Sequence, residues 1–179
     1  NGYSKNEFRS LNCSISSGDK KNLVQKNRLQ ALKNIGLQKK KLILINQIHS
    51  NKVVQINKLN IRKKIEADGM ITSLNNVVLG VLTADCAPIF IYDNKNKFVC
   101  CVHSGWKGAL KNISKNAIKL FDKHKINRKN LTAIIGPCLN RKNYEVDRNF
   151  EKKFLIKNKN YSKFFRKKNI NKTFFNLRG

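Results

Sequence analysis

The stretch "VVLGVLTADCAPIFIYD", residues 77–93, predicts two short apolar strands on either side of a polar interruption. Strands are expected at 77–82 and 88–92, because short continuous apolar runs are typical of strands that are buried on both faces. The interruption contains a carboxylate and a thiol, Asp85 and Cys86. A plain hairpin would use Asn-Gly or Asp-Gly at this point, so these two residues need another explanation.

The rest of the chain predicts strands that alternate with helices. Apolar residues at helical spacing predict helices over 19–36 and 109–124, and the tail from Glu151 onward is expected to be helical or irregular. Further strands are expected at 41–48, 52–56, 97–103 and 131–136. This order predicts an α/β (α+β) fold with a sheet covered on both faces and with polar clusters at strand ends, where binding sites commonly form.

Length and composition indicate one globular domain. The chain has 179 residues, of which 40% are hydrophobic, and no repeat or linker divides it. No apolar run approaches the roughly 20 residues needed to cross a bilayer, so no membrane role is expected. The chain starts at Asn1 without a methionine and stops at "FFNLRG" without a closing element. We interpret residues 1–179 as a single catalytic domain that lacks its extreme N-terminal and C-terminal segments.

The charge balance is strongly basic, with 38 Lys and Arg against 10 Asp and Glu and a formal net charge of +28. Such an excess is typical of proteins that bind nucleic acid or anionic membranes. The alternative explanation is compositional drift, because Lys, Asn and Ile are heavily used along the whole chain, as in proteins from AT-rich genomes. The basic residues are scattered and form no nucleic-acid-binding motif, so nucleic acid is not the expected partner. Positive charge would still attract small anionic substrates.

The five cysteines do not predict a disulfide framework. Their number is odd, none falls in a CxxC pair, and two are adjacent in an apolar strand. This usage fits the reducing cytoplasm. The cysteines are Cys13, Cys86, Cys100, Cys101 and Cys138.

Three loops each contain one good metal ligand. "NQIHS" holds His49, "TADC" holds Cys86, and "HSGWKG" holds His103. All three loops follow or interrupt apolar strands, so their side chains can meet at one edge of a sheet. Two imidazoles and one thiolate would make a tetrahedral zinc site with one open position, which is the catalytic pattern. The spacing alone gives no independent support, because no CxxC or HxxxH is present.

Other interpretations of these residues stay open. Each ligand can be taken separately: His49 as a solvated turn residue, Cys86 as a small buried hydrophobe, and His103 as a hydrogen-bonded histidine at a strand end. A third interpretation pairs Cys86 as nucleophile with His103 as base in a hydrolase or amidase. Asp85 would then orient the histidine or stabilise charge, although a carboxylate at this position is also typical of a cap or turn.

The segment "HSGWKGAL" suggests an anion site. Gly105 and Gly108 free the backbone just before a helix, whose N-terminal N–H groups favour an anion, and Lys107 stands in the same turn. The alternative is a turn between strand and helix whose conformation requires glycine, with Trp106 packed in the core.

Five ordered motifs now identify a family. They are "NQIHSNKVV", "ADGMIT", "TADCAPIFI", "VHSGWKGAL" and "IGPCLNRKNYEV". In order and approximate spacing they resemble the YfiH-type purine nucleoside phosphorylase family, whose members are also described as laccase-domain proteins or polyphenol oxidases. The upstream "SLNCSISSGDKKNLVQKNR" resembles the N-terminal segment of that family, so the resemblance covers nearly the whole chain.

The resemblance implies a cytosolic zinc enzyme with His49, Cys86 and His103 as ligands. It also implies phosphorolysis of adenosine, inosine and 5'-methylthioadenosine to free base and sugar 1-phosphate, with adenosine deamination as another activity. The implied fold is a layered α/β/β/α sandwich that is shared with bacterial cysteine-dependent deamidase toxins. Purine nucleoside and phosphate are the expected partners, and a monomer or a homo-oligomer fits equally well. The remaining alternative is a basic binding module without catalysis.

Further roles are expected by motif position. Lys107 stands where many members have Arg, which keeps the charge but loses bidentate anion recognition. With the backbone at Gly105, Lys107 is a candidate for binding phosphate, as is Arg28, and Asp85 is a candidate proton donor. Residues expected close to substrate or metal are Gln47, Asp68 and Thr83. Three ligands make at most one mononuclear site and His124 is the only other histidine, so zinc is expected rather than copper.

Overall fold

The computed structural model describes residues 1–95, 97–169 and 171–179. The helices are α1 (Lys21–Asn34), α2 (Trp106–Leu110), α3 (Ile113–Lys123) and α4 (Arg148–Lys157). The strands are β1 (Lys41–Leu44), β2 (Val53–Gln55), β3 (Gly69–Thr72), β4 (Val77–Gly80), β5 (Ala87–Asp93), β6 (Val99–Ser104), β7 (Leu131–Ile135), β8 (Glu145–Asp147), β9 (Phe165–Lys167) and β10 (Lys172–Phe175). No helix among the described residues is long and apolar enough to span a bilayer.

The central sheet has five strands in the order β2-β3-β6-β5-β7. Only β2 and β3 pair in parallel, so the sheet is mixed. Helix α3 packs one face through Ile113, Ala117 and Phe121. The parallel pair β1–β4 packs the opposite face, where Ile43 and Val77 contact Met70 of β3.

Helix α1 forms the fourth layer on the outer side of the β1–β4 pair. Its Leu32 shares an apolar cavity with Leu42 of β1 and Val78 of β4. The order from helix to helix is therefore α3, the five-stranded sheet, the two-stranded sheet and α1. This arrangement confirms the predicted α/β/β/α sandwich with mixed sheets.

The helix predicted over 109–124 is wrong at its start. The chain forms the short α2 and then α3, and between them Asn112 has a φ of 58° in the left-handed region. Asn tolerates this conformation better than most residues, so the chain can turn there and begin a new helix. The predicted apolar face is right for α3, in which Ile113, Ala117 and Phe121 are buried.

The prediction for the tail is also incomplete. Beyond α4 the chain forms β9 and β10, which join β8 in an antiparallel sheet of order β8-β10-β9. These strands are short and rich in lysine, so they lack a clear apolar alternation. An aromatic cluster holds this C-terminal unit against α2: it consists of Trp106, Tyr144, Phe150, Phe154, Phe165 and Phe175.

The sheet is covered on both faces only over its β3–β6 half. The register aligns Met70, Cys101, Phe90 and Ile134 in one row across four strands. Met70 and Cys101 are 0% and 2% exposed, whereas Phe90 and Ile134 are 42% and 52% exposed. The expectation of full coverage is therefore wrong for β5 and β7, because the β1–β4 pair is too narrow to reach them.

Candidate metal centre

The three predicted ligands meet at one end of the central sheet. Antiparallel pairing of β5 with β6 aligns Ala87 with Ser104, which places Cys86 beside the C-terminal end of β6. The candidate ligand atoms of His49, Cys86 and His103 all lie within 4.8 Å of one another. Among the described residues this is the one group of three such side chains with metal-binding geometry. His103 is buried, Cys86 is half-buried and His49 is exposed, so the cluster opens towards solvent on the His49 side.

Asp68 fixes two of the three candidate ligands. Its carboxylate accepts hydrogen bonds from the backbone N–H groups of His49 at 2.9 Å and Ser50 at 2.6 Å, and from the Ser50 hydroxyl at 2.7 Å. It also lies 2.9 Å from Nδ1 of His103. An ionised carboxylate accepts from Nδ1–H and leaves Nε2 of His103 free for a metal, the arrangement found behind many metal-binding histidines.

The same contacts control the charge of Asp68, which is 0% exposed. Burial acts to raise the pKa of Asp68, but the hydrogen bonds from Ser50, His103 and His49 outweigh it and hold the pKa below its ordinary value. The buried carboxylate is therefore ionised at neutral pH, as its role as an acceptor requires.

The backbone at His49 is held in a conformation that is uncommon for this residue type. Its φ is 55°, in the left-handed region that most side chains avoid. The hydrogen bonds to Asp68 stabilise this turn and direct the imidazole towards His103, with the two rings edge to face and their centroids 4.8 Å apart. Strain of this kind is typical of functional sites.

The surroundings of Cys86 favour a metal ligand over a free nucleophile. Burial raises the pKa of the Cys86 thiol, and the negative charges of Asp85 and Asp68 raise it further. Nucleophilic cysteines have a lowered pKa instead, from positive neighbours or a helix N-terminus. A bound cation would supply the missing positive charge and hold the thiolate.

Gly105 lies against the cluster and leaves no room for a side chain. A Cβ at this position would stand 2.8 Å from Sγ of Cys86 and 3.4 Å from Cδ2 of His49. The backbone of Gly105 is extended, with φ −77° and ψ 176°. Because any residue can adopt this backbone conformation, the requirement for glycine comes from the space that the ligands occupy.

We therefore expect Gly105→Ala to weaken metal binding by about tenfold or more while the chain still folds, because the methyl group displaces the Cys86 sulfur. Zinc titration and circular dichroism measure the two effects. The matched control is Gly80→Ala, whose Cβ would stand 2.8 Å from Cδ2 at the end of the Leu44 side chain, away from the cluster. Equal loss of metal affinity in both variants would contradict the prediction.

Gln47 has both amide atoms occupied by one neighbour. Its Nε2 donates to the carbonyl of Leu82 at 2.8 Å, and its Oε1 accepts from the N–H of Leu82 at 2.7 Å. Gln47 therefore ties the loop of His49 to the segment that leads into Asp85 and Cys86. Because both amide atoms make these hydrogen bonds, the predicted contact between Gln47 and substrate would require them to break.

The charged residues predicted around the substrate lie in three different places. Asp85 is exposed beside Cys86, and its carbonyl accepts from the N–H of Leu139 at 2.9 Å. Lys107 is exposed in α2, with Nζ 5.6 Å from the ring centroid of Trp106. Arg28 is half-buried in α1, and its Nε donates to the carbonyl of Cys13 at 2.8 Å. The cluster therefore has Asp85 at its side, whereas Arg28 supports the N-terminal loop.

A cavity of about 740 Å³ adjoins the cluster, with His49 on its wall. Sequence reasoning did not assign the N-terminal loop, residues 11–17, to this site. The run of serines in "SLNCSISSGD" was the available signal, but only the docking of this loop onto α1 brings it near His49. The polar side chains that line the cavity are Asn12, Ser14, Ser16, Ser17, Asn46, Gln47, His49 and Thr83.

Comparisons with known proteins identify the family to which the chain belongs. The family described as multi-copper polyphenol oxidoreductase laccase matches residues 1–179. A purine nucleoside phosphorylase of Rickettsia prowazekii is 39% identical over 125 residues, which cover 69% of this chain and 50% of that protein. The purine nucleoside phosphorylase YlmD of Bacillus subtilis is 31% identical over 155 residues, which cover 82% of this chain and 56% of that protein.

Solved structures show the same fold. The Neisseria meningitidis protein NMB0706 superposes with a TM-score of 0.87 at 26% identity, over 99% of this chain and 71% of its own. The YfiH protein of Bacillus licheniformis superposes with a TM-score of 0.89 at 23% identity, over 99% of this chain and 70% of its own. The chain spans about half the length of the curated relatives named above. It belongs to the YfiH-type family that is described as multi-copper polyphenol oxidoreductase laccase.

Proposed function

We propose that this chain carries the catalytic centre of a zinc-dependent purine nucleoside phosphorylase. Its substrates would be adenosine, inosine and 5'-methylthioadenosine with phosphate, and adenosine deamination would be a second activity. The observation that carries the proposal is the His49–Cys86–His103 cluster, whose His49 also lines a cavity of about 740 Å³. That volume lies within the range of small-molecule sites, about 300–1,000 Å³. Relatives at 28–39% identity that are named purine nucleoside phosphorylases support it.

The donor set fits a single zinc ion. Zinc takes imidazole nitrogen and thiolate sulfur in a tetrahedral arrangement, whose ligand atoms lie about 3.5 Å apart. The ligand atoms here lie within 4.8 Å of one another and need only small side-chain movements to reach that spacing. The chain has three histidines, and His124 is stacked on Phe98 and bonded to Gln55, apart from the cluster. These residues supply one mononuclear site, so they do not fit the several copper ions in the family description.

Different residues of the chain would have different roles around this centre. Bound zinc would supply Lewis-acid polarisation of the substrate atom that it contacts. Asp68 keeps Nδ1 of His103 protonated and so directs Nε2 towards the site. Asp85, exposed beside Cys86, is our candidate for assisting the proton transfer to the departing purine. Lys107 is our candidate for attracting phosphate, since it is an exposed cation four residues after the candidate ligand His103, with Nζ 5.6 Å from the ring centroid of Trp106.

The test is purine release from adenosine with and without phosphate, together with metal analysis of the protein. We expect about one zinc per chain, adenine and ribose 1-phosphate only when phosphate is present, and inosine formation in its absence. A chelator should abolish both activities, and added zinc should restore them. Phosphate-independent release of adenine, or activity that survives chelation, would contradict the proposal.

A cysteine hydrolase acting on an amide is the second candidate. The observation in its favour is the alignment of Asp68, His103 and Cys86, because a carboxylate that orients a histidine next to a nucleophile is the arrangement of catalytic triads. The raised pKa of Cys86 argues against it, since burial and two neighbouring carboxylates favour the unreactive thiol. Metal-independent activity that iodoacetamide blocks at Cys86 would establish this candidate.

A further inference from the structure

We propose that the hydroxyl groups of Ser14 and Ser16 bind the cis-diol of the ribose in the cavity beside His49. The inference rests on the proposed function, because it assigns the sugar of a nucleoside substrate to one wall of the same site. It also assigns a role to the N-terminal loop, which lies far from the metal ligands along the chain.

The lining of the cavity indicates which part of the substrate it holds. Hydroxyl and amide groups supply its polar surface, and no Lys, Arg, Asp or Glu lines it among the described residues. A phosphate group would need positive charge or several convergent N–H donors to replace its hydration. A neutral sugar needs hydroxyl and amide partners, and this wall offers them. The cavity therefore suits the nucleoside, with phosphate approaching from another side.

The Ser14 and Ser16 hydroxyls form a pair with spare hydrogen-bonding capacity. Their Oγ atoms lie 3.0 Å apart, and either one can donate to the other. One hydroxyl hydrogen and several lone pairs therefore remain available. The two oxygens of a cis-diol are separated by a similar distance, about 2.7–3.0 Å, and each can both donate and accept. The pair is complementary to a diol in spacing and in donor count.

Ser17 provides a contrast within the same loop. Its Oγ accepts from Nδ2 of Asn12 at 2.7 Å and donates to the carbonyl of Ser14 at 2.8 Å. Its only hydrogen is therefore used to hold the loop in shape. The available donor lies on the Ser14–Ser16 pair, which is why the proposal names these two residues.

The loop is held in place before any ligand binds. Oδ1 of Asn12 accepts from the N–H of Ser14 at 3.0 Å. Asn27 of α1, which is fully buried, donates through Nδ2 to the carbonyl of Asn12 at 2.8 Å and to the Ser4 hydroxyl at 2.7 Å. Groups held by such a network lose little conformational entropy on binding, so each hydrogen bond to a ligand contributes more to affinity.

The experiment measures equilibrium binding of inosine and of 2',3'-dideoxyinosine by calorimetry, in the zinc-loaded protein without phosphate. The wild-type protein should bind inosine about tenfold more tightly than the dideoxy compound, the effect expected for two neutral hydrogen bonds. In Ser14→Ala/Ser16→Ala the affinity for inosine should fall about tenfold, while the affinity for dideoxyinosine stays unchanged. The control is Ser73→Ala, an exposed serine after β3 that is remote from the cavity lining.

Several outcomes would overturn the inference. One is equal affinity of the wild-type protein for both compounds. The others are an unchanged affinity of the double variant for inosine, or a loss of affinity for both compounds by the same factor. The wild-type comparison needs no variant, so it decides the question even when the double variant fails to fold. Failure of the proposed function gives a different result: inosine binds and the diol is recognised, but no hypoxanthine is released when phosphate is added.

Discussion

Cys86→Ala is expected to abolish the proposed metal binding and the proposed phosphorylase activity together, without unfolding the protein. The substitution deletes the one sulfur donor of the cluster, and the remaining imidazoles of His49 and His103 make a much weaker site. Losing one donor of such a site should cost about 3–4 kcal/mol of binding free energy, which is on the order of a 10³-fold loss of affinity. Metal content by mass spectrometry and adenosine phosphorolysis measure the two losses. His49→Ala and His103→Ala should behave in the same way.

The chain offers a matched control in Cys138→Ala. Cys138 is close enough to Cys86 to contribute to its raised pKa, but it lies outside the candidate ligand group and accepts a hydrogen bond from Arg178 at 3.3 Å. This variant should keep about one zinc per chain. Wild-type metal content in Cys86→Ala would show that the metal is bound elsewhere, and equal loss in both variants would show that the effect is not specific to Cys86.

Asp68→Asn should have the second largest effect, on metal affinity and on stability. The carboxylate accepts from three backbone N–H groups, one hydroxyl and one imidazole while fully buried. An amide offers one acceptor oxygen and turns a donor towards groups that are themselves donors. We expect zinc affinity to fall 10–100-fold, as for other lost partners of metal-binding histidines. We expect a loss of about 3 kcal/mol in the free energy of unfolding of the metal-free protein.

Zinc competition and urea unfolding test this prediction, with Asp93→Asn as the control. Asp93 is also buried, but it accepts from the N–H of Lys95 and lies outside the metal cluster. The control should lose some stability and no zinc affinity. Wild-type zinc affinity in Asp68→Asn would exclude the role that we assign to this carboxylate.

The depressed pKa of Asp68 adds a dependence on pH with a definite sign. Its folded-state pKa lies below the ordinary value, so its contribution to stability is present above about pH 4, the pKa of an unfolded aspartate. That contribution is lost as the pH falls towards the folded-state value. The Asn variant should lack this part of the acid dependence.

The sequence predicted the strands that position the site better than it predicted the side-chain contacts within the site. The strands around "TADC" were expected at 77–82 and 88–92, and β4 and β5 lie within three residues of these bounds, because short apolar runs are a local signal. The convergence of His49, Cys86 and His103 is a long-range property that spacing could not show, and the family resemblance supplied it. Asp68 was expected near the metal, but its hydrogen bonds to five groups depend on how separate segments of the chain pack.

Other features depend on single residues or on packing. Residues 109–124 have one continuous apolar periodicity, which predicts a single helix. Only the left-handed conformation of Asn112 divides this segment between α2 and α3. The serine loop carries no apolar pattern at all. Its place on the cavity wall depends on buried Asn27, whose amide joins the loop to α1.

The uncovered half of the central sheet affects how this protein behaves in concentrated solution. Phe90 and Ile134 present apolar surface beside Tyr92 and Val99, and β7 is an edge strand. Mutual repulsion between molecules of net charge +28 keeps these faces apart at low ionic strength. Salt shortens the range of that repulsion from about 10 Å at 0.1 M to about 3 Å at 1 M. The protein is therefore expected to aggregate more readily as the ionic strength rises, whereas salting-in would make it more soluble.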